Sequence, residues 1–392
     1  MKLKTNQYKY LVLLLAAVVL GFTSCDDAEY SVKDSVVYLV EASGATNSKK
    51  VTVDDNGGVT SLSVRTNKKT NHDVKASVRV DAEALNRFNT KNGTNYVALS
   101  EDFFTLSEKE AIISKGNVSA SPISVNIDAL TQDLIDSGNK FAIALTVNSN
   151  DTEVLDGAET VVFVLDQVIV TSVPVLTGSR PAKLHMRQDY DVTQWSLEMR
   201  VNMSQLGTAI GQLNNQALFA AGPGDGKGAE EGEIYIRFGD APIKGNVLQV
   251  KTQGTQINCN TEFNANTWYH LAFVCDGTSM RIYVDGTLDA TLTTRNKPLH
   301  LDKESFMLCG SGSWLKANVM LSEVRFYTKA ISLNQIQNNM FAINPATDGL
   351  EGYWKMNEGT GIIFNDATGN DNEGKVQGGT INWVHGIRSD GK

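Results

Sequence analysis

The side chains of this 392-residue chain that could do chemistry are its carboxylates, one histidine and its tryptophans. Glycosidic hydrolysis needs two carboxyl groups about 5–9 Å apart across the bond. The sequence has no Glu-x-Asp-x-x-Glu triplet on one strand. Glu231-Gly232-Glu233 sits in a glycine-rich loop, and Asp54-Asp55 opens an Asp-Asp-Asn-Gly-Gly turn, where Asp bonds local backbone. His270 could act as a base, yet no nucleophile or orienting acid stands near it in sequence, and no HxH or HExxH spacing suggests a metal. Sugar recognition needs flat aromatic faces that stack on pyranose C–H surfaces, with planar polar groups for the hydroxyls. Trp314 follows Gly310-Ser311-Gly312-Ser313 and precedes Lys316, so it is either an exposed platform or packed on a sheet edge. Trp383 lies near the C-terminus and is a weaker candidate.

These residues must be held by strands. Hydrophobic residues make up 41%, charged residues 20%, and there are only 7 prolines, which argues against disorder. The net charge, 35 − 44 = −9, excludes nucleic acid as a partner, because phosphate binding needs a basic surface. The length suits two or three domains. Val74, Ala76, Val78 and Val80 alternate with polar residues, as do Ile123–Ile127, Phe141–Val147 and Val161–Leu165. Short helices are expected near Ala82–Phe88 and Leu130–Ser137, so residues 35–170 read as an antiparallel β-sandwich with a boundary near 170. Alternation resumes at Leu197–Met203 and Ile234–Phe238, with hairpin turns at Asp276–Ser279 and Asp285-Gly286. Ser332-Leu333-Asn334-Gln335 reads as a capping box before a helix presenting Ile336, Met340 and Phe341 on one face. Trp195, Trp268 and Trp354 lie within alternating runs and are expected in the core. The fold class is all-β: two sandwich domains, the second a jelly roll over 171–392.

The first 24 residues carry Lys2, Lys4 and Lys9 and no acid, and Leu11 to Phe22 is nearly all apolar. That run is shorter than the roughly 20 residues of a bilayer span, and reads as a secretory signal. Ending in Phe22-Thr23-Ser24-Cys25, it resembles a bacterial lipoprotein signal, which implies a lipid-modified Cys25 and a tether over 25–34. Asp26 and Asp27 resemble the acidic export signals of Bacteroidota surface lipoproteins, which implies outer-membrane, surface localisation. Cys259, Cys275 and Cys309 remain, allowing at most one pair. Buried free thiols are expected, with a Cys275–Cys309 bridge as the alternative.

Trp268-Tyr269-His270-Leu271-Ala272-Phe273-Val274 followed by Ile282-Tyr283-Val284-Asp285-Gly286 resembles the concanavalin A-like laminin-G fold. Gly352-Tyr353-Trp354-Lys355-Met356 and Asp366-Ala367-Thr368-Gly369-Asn370-Asp371 extend the likeness across residues 175–392. The stretch from Val80 to Leu106 is similar to an N-terminal domain of unknown function in Bacteroidota surface lipoproteins. Together these resemblances imply non-catalytic capture of a polysaccharide or glycoprotein glycan, with surface glycosidases and an outer-membrane importer as partners. Protein adhesion is the second reading, and a glycoside hydrolase-like enzyme the third. The likeness makes His270 a structural strand residue. It also brings in calcium, held either by Asp366, Asn370 and Asp371 or by the loop from Asp225 to Glu233.

Overall fold

The computed structural model describes residues 35–44, 46–224 and 232–389. Cys25, the signal and tether segments up to residue 34, and loop residues 225–231 lie outside the described residues.

In the first domain the alternating residues Val74, Ala76, Val78, Ile143, Leu145, Val147, Val161 and Phe163 are buried. They line one face of a six-stranded sheet ordered Ser48–Val53, Thr160–Gln167, Phe141–Asn148, Val74–Val80, Glu110–Ile113, with Val97–Ala98 paired to Phe141–Asn148. Two three-stranded sheets, centred on Ile123–Ile127 and Val36–Leu39, pack across that face and close the core. The purely antiparallel reading needs correction, because Ser48–Val53 runs parallel to Thr160–Gln167, and Val36–Leu39 parallel to Glu153–Val154. The turn after Val53 carries the chain from the large sheet into the facing one, so these neighbours in the sheet are not joined by a hairpin. There Asp54 accepts the Asn56 amide at 2.8 Å, and Gly57 (φ 84) passes so close that a Cβ would lie 2.2 Å from the Ile127 carbonyl.

Helix α1, Ala82–Asn92, is capped by the Asp81 carboxylate on the Ala84 amide and ends at the left-handed Gly93. Its Ala84 and Leu85 cover Ala142, Ala144, Val162 and Val164 on the far face of the large sheet. Phe141–Asn148 is therefore buried on both sides, and its apolar run is continuous for that reason. Helix α2 is a short segment, Gln132–Asp136.

The second domain is built on two large sheets. One, here the seam sheet, is ordered Thr287–Thr293, Ser279–Val284, Trp268–Cys275, Trp195–Met203, Val319–Tyr327, Val170–Leu176, Asn382–Arg388, with Leu350–Trp354 paired to Val319–Tyr327. The other, the open sheet, is ordered Thr255–Glu262, Val247–Thr252, Ile234–Phe238, Gln216–Ala221, Met307–Leu308, Ala182–Leu184, Gly374–Val376, Ile363–Phe364. Leu197, Met199, Ile236, Phe238, Leu271, Phe273 and Phe326 fill the space between, around fully buried Trp195 and Trp354. Trp268 departs from the expected core position. It shares the outward phase of His270, stays half-buried, and lies under the Arg200 guanidinium at 5.1 Å. The hairpin at Asp285 (φ 49) and Gly286 (φ 74) has both central residues left-handed, and Asp285 also accepts the His270 amide at 2.8 Å.

Helix α3, Leu333–Asn338, has the expected capping box at Ser332. It is shorter than its apolar spacing suggests, so Met340 and Phe341 lie beyond its end. Ile331, Ile336 and Ile343 from this region cover the outward Ala272, Val274, Tyr327 and Tyr353 of the seam sheet. The first domain then closes over the same region. A Cβ on Gly138 would lie 1.9 Å from the Ile343 carbonyl, Lys355 donates to the Asp136 carbonyl and carboxylate at 3.1 and 3.2 Å, and Asn344 donates to Asn139 at 2.9 Å. Close backbone packing and polar contacts thus join the two domains at this seam.

Candidate functional site

Trp314 stands on a 3-10 turn, Gly312–Trp314, between the two sheets, and is 59% exposed. The turn is fixed from beneath by its neighbours. Leu315 and Ala317 are buried in the core, and the Gln216 side chain accepts the amides of Lys316 and Ala317 at 3.0 and 2.9 Å. Ser311 accepts the Ala217 amide at 3.0 Å. Gly178 passes so near that a Cβ there would meet the Gly312 carbonyl at 1.9 Å. The sequence left two readings for Trp314; the structure presents the indole as an exposed face on a pinned loop, with Lys316 exposed beside it.

The outward face of the open sheet carries a polar ladder that the sequence reading missed. Ile234, Ile236 and Phe238 point inward, so Tyr235 and Arg237 point out. Arg237 donates to the Gln249 oxygen at 3.2 and 2.8 Å and to Asn215 at 3.0 Å, and is paired with Asp240. The Tyr235 hydroxyl donates to the same Asn215 oxygen at 2.8 Å, and Gln249 passes its amide to Asn258 at 3.0 Å. Burial raises the Tyr235 pKa, with the Arg237 charge working against it, so the hydroxyl stays a neutral donor. Asn215 adjoins Gln216 in sequence, and Gln216 holds the Trp314 loop, so one strand end anchors both. An exposed aromatic face, with exposed Asn258 and half-buried Tyr235 and Asn215 on the same sheet held by buried Arg237 and Gln249, suits hydroxyl-rich ligands. The signal was present as the phase of Tyr235 and Arg237 against three inward residues.

The other sequence candidates have different surroundings. Trp383 is half-buried, donates its indole N–H to the Gly361 carbonyl at 3.2 Å and packs edge-on against Phe364. It is a packing residue rather than a free platform. Asp366 accepts the amides of Tyr353, Thr368 and Asn372 at 3.0, 3.0 and 3.1 Å, and the Thr368 hydroxyl and Asn372 side chain at 2.8 and 2.9 Å. Its lone pairs are spent on holding a turn. Asn370 donates to the Glu351 carbonyl at 3.0 Å, and Asp371 is exposed. The three are thus not gathered as a calcium ligand set, and no trio of His, Cys, Asp or Glu among the described residues could hold a metal ion. Of the alternative calcium loop, residues 225–231 lie outside the described residues. Cys259, Cys275 and Cys309 are free and buried, so the Cys275–Cys309 bridge is not formed. Burial pushes the thiols of Cys259 and Cys309 far up, which leaves them un-ionised.

His270 has an acid that sequence proximity did not reveal. Strand pairing sets Glu198 and Arg200 alongside it, and its Nε2 lies 3.4 Å from Glu198. Burial opposes charge on Glu198, but His270, Arg325 and Tyr327 outweigh that and keep its pKa low. The Tyr327 hydroxyl donates to Glu198 at 2.7 Å, Arg325 donates to the Asn339 carbonyl at 2.6 Å, and Arg325 and the Tyr353 hydroxyl both bind Glu323. These groups are sealed under α3 and the segment that follows it. The pairing ties the seam sheet to its cover.

Comparison with known proteins agrees with this architecture. Residues 31–154 match a family described as an N-terminal domain, and residues 176–337 match the concanavalin A-like lectin/glucanases superfamily. Among curated proteins none matches. A solved candidate carbohydrate binding protein from Bacteroides ovatus ATCC 8483 is 23% identical, with a TM-score of 0.58 over 89% of this chain and 97% of that one. A SAP-like pentraxin from Limulus polyphemus is 14% identical (TM-score 0.36; 54% of this chain, 95% of that one). EndoBT-3987 of Bacteroides thetaiotamicron, solved with a Man5GlcNAc product, is 18% identical (TM-score 0.27; 33% and 30%). The chain therefore carries an N-terminal domain of that first family followed by a domain of the concanavalin A-like lectin/glucanases superfamily.

Proposed function

We propose that this protein is a non-catalytic glycan-binding lipoprotein of the cell surface. The observation that carries the reading is the exposed indole of Trp314 on a pinned loop. Stacking on such a face with hydroxyls read by fixed amides is binding chemistry, and it needs no bond-breaking group. A lectin-like domain and a Bacteroides relative described in terms of carbohydrate binding support it. The carboxylates of the seam support a non-catalytic role, since Glu198, Glu323 and Asp136 each hold a cation.

In this reading Cys25 carries the lipid, residues 25–34 form the tether, and residues 35–170 form a spacer or assembly module. The second domain, 171–392, holds a polysaccharide or glycoprotein glycan for surface glycosidases and an outer-membrane importer. Lipid with more than one acyl chain suffices for stable attachment. A glycan array followed by titration with deproteinised polysaccharide tests the binding claim. Saturable binding without release of sugar is expected; release of sugar, or binding only to a glycoprotein and undiminished after its deglycosylation, contradicts it.

A further inference from the structure

The seam between the domains encloses a polar cavity of about 120 Å³, bordered by Arg200, Ser322, Glu323, Phe341, Lys355 and Asp136. That is room for several water molecules or a group of similar size. Arg200 is only 7% exposed and has no hydrogen bond or ion pair to any described residue. Its guanidinium lies instead against two rings, Trp268 at 5.1 Å and Phe341 at 4.7 Å. Ser322, directly opposite Arg200 on the paired strand, is 2% exposed, and its hydroxyl has no partner either. A buried hydroxyl left unmatched costs free energy unless something in the cavity binds it, and the guanidinium beside it, not fully sealed from water, has donors to join that binding.

The other charges of the cavity do not serve Arg200. Glu323 is bound by Arg325 and by the Tyr353 hydroxyl, at 2.6 Å for the latter, and Asp136 is bound by Lys355. Asp55 is exposed at the rim. Glu323 sits in a bulge of Val319–Tyr327 with φ 56, a left-handed conformation that a glutamate adopts at a cost. The bulge places its carboxylate on Arg325 and Tyr353 rather than on Arg200. Burial pulls the Arg200 pKa below the ordinary guanidinium value, and the Glu323 charge offsets that from a distance.

We propose that this cavity is a second binding site, which takes a carboxylate, with Arg200 as its anchor. The planar fork of a guanidinium matches a carboxylate bidentately. Trp268 and Phe341 hold the plane of that fork, and the Ser322 hydroxyl supplies a further donor. The inference rests on the glycan reading only for the source of the carboxylate, an acidic sugar residue rather than a free organic acid.

The test is calorimetric titration of the intact chain with sodium glucuronate, glucose and sodium acetate. Glucuronate is expected to bind and glucose not to bind. Arg200→Met should weaken glucuronate by about tenfold or more. Arg200→Lys keeps charge and ring contact but loses the fork, and should weaken it several-fold; it carries the test if the Met variant does not fold. Acetate binding as tightly as glucuronate would uphold the carboxylate site with a free acid as occupant. Equal binding of glucose, no binding of either acid, or full affinity in both variants would overturn the proposal. The monosaccharide reports on the cavity rather than on polysaccharide capture at Trp314, so the two readings fail separately.

Discussion

The two outward faces of the second domain have similar polar composition and opposite fates. On the open sheet, Tyr235 and Arg237 meet at Asn215, and Arg237, Gln249 and Asn258 bond to one another across the strands. On the seam sheet, Glu198, Arg200, Asn202, His270, Ser322 and Arg325 are buried, and several of their polar atoms have no partner. The difference shows what a cover does. A buried charge needs partners: Arg237, as buried as Arg200 at 7%, finds them on its own sheet and in Asp240, whereas the seam groups depend on their cover.

The comparison breaks most sharply at Glu198. Replacing it by Ala leaves Arg325 dependent on Glu323 and the Asn339 carbonyl, and should cost about 3–5 kcal/mol by the measure of a broken buried pair. Urea unfolding measures this, and a loss under 1 kcal/mol would mean the network is not holding the seam. Arg237→Ala on the open face should cost less, because its acid Asp240 is 38% exposed and can turn to water.

A smaller effect lies at the Asp276 turn, the hairpin linking two seam strands. Burial opposes ionisation there, but the Ser279 and Thr278 amides, the Thr278 hydroxyl and Arg281 outweigh it and depress the pKa. A carboxylate depressed in the folded state stabilises above its unfolded pKa of about 3.9, and that stability is lost as pH falls through the folded value. Asp276→Asn should therefore lower the melting temperature at neutral pH and flatten its decline below about pH 4. An unchanged acid limb would deny the turn this role.

Much of the fold was legible because strand alternation marks one buried face. Leu197, Met199, Ile236 and Phe238 needed nothing more than their spacing. Trp268 was misread because its apolar character outweighed its phase, which it shares with His270 and Ala272 on the covered face. Ser196, Glu198, Arg200 and Asn202 form a polar set in phase, the pattern of a solvated face, and no local signal announces that a distant segment will cover them. Phe341 was placed on a helix that ends before it, and it meets Arg200 instead. Of the candidate site, the exposed Trp314 could be suspected from its Gly/Ser surroundings. The ladder of the open sheet depends on pairing across Ile234–Phe238 and Val247–Thr252, which spacing alone does not reveal.

The most direct measurement is titration of wild type and Trp314→Ala with a polysaccharide identified on the array, alongside their melting curves. The side chain is mostly in water and its loop is held by Gln216, Ser311 and buried neighbours. Loss of one stacking face should weaken binding about tenfold, at roughly 1.4 kcal/mol per decade, with the melting temperature nearly unmoved. Unchanged affinity in a folded variant would contradict the account.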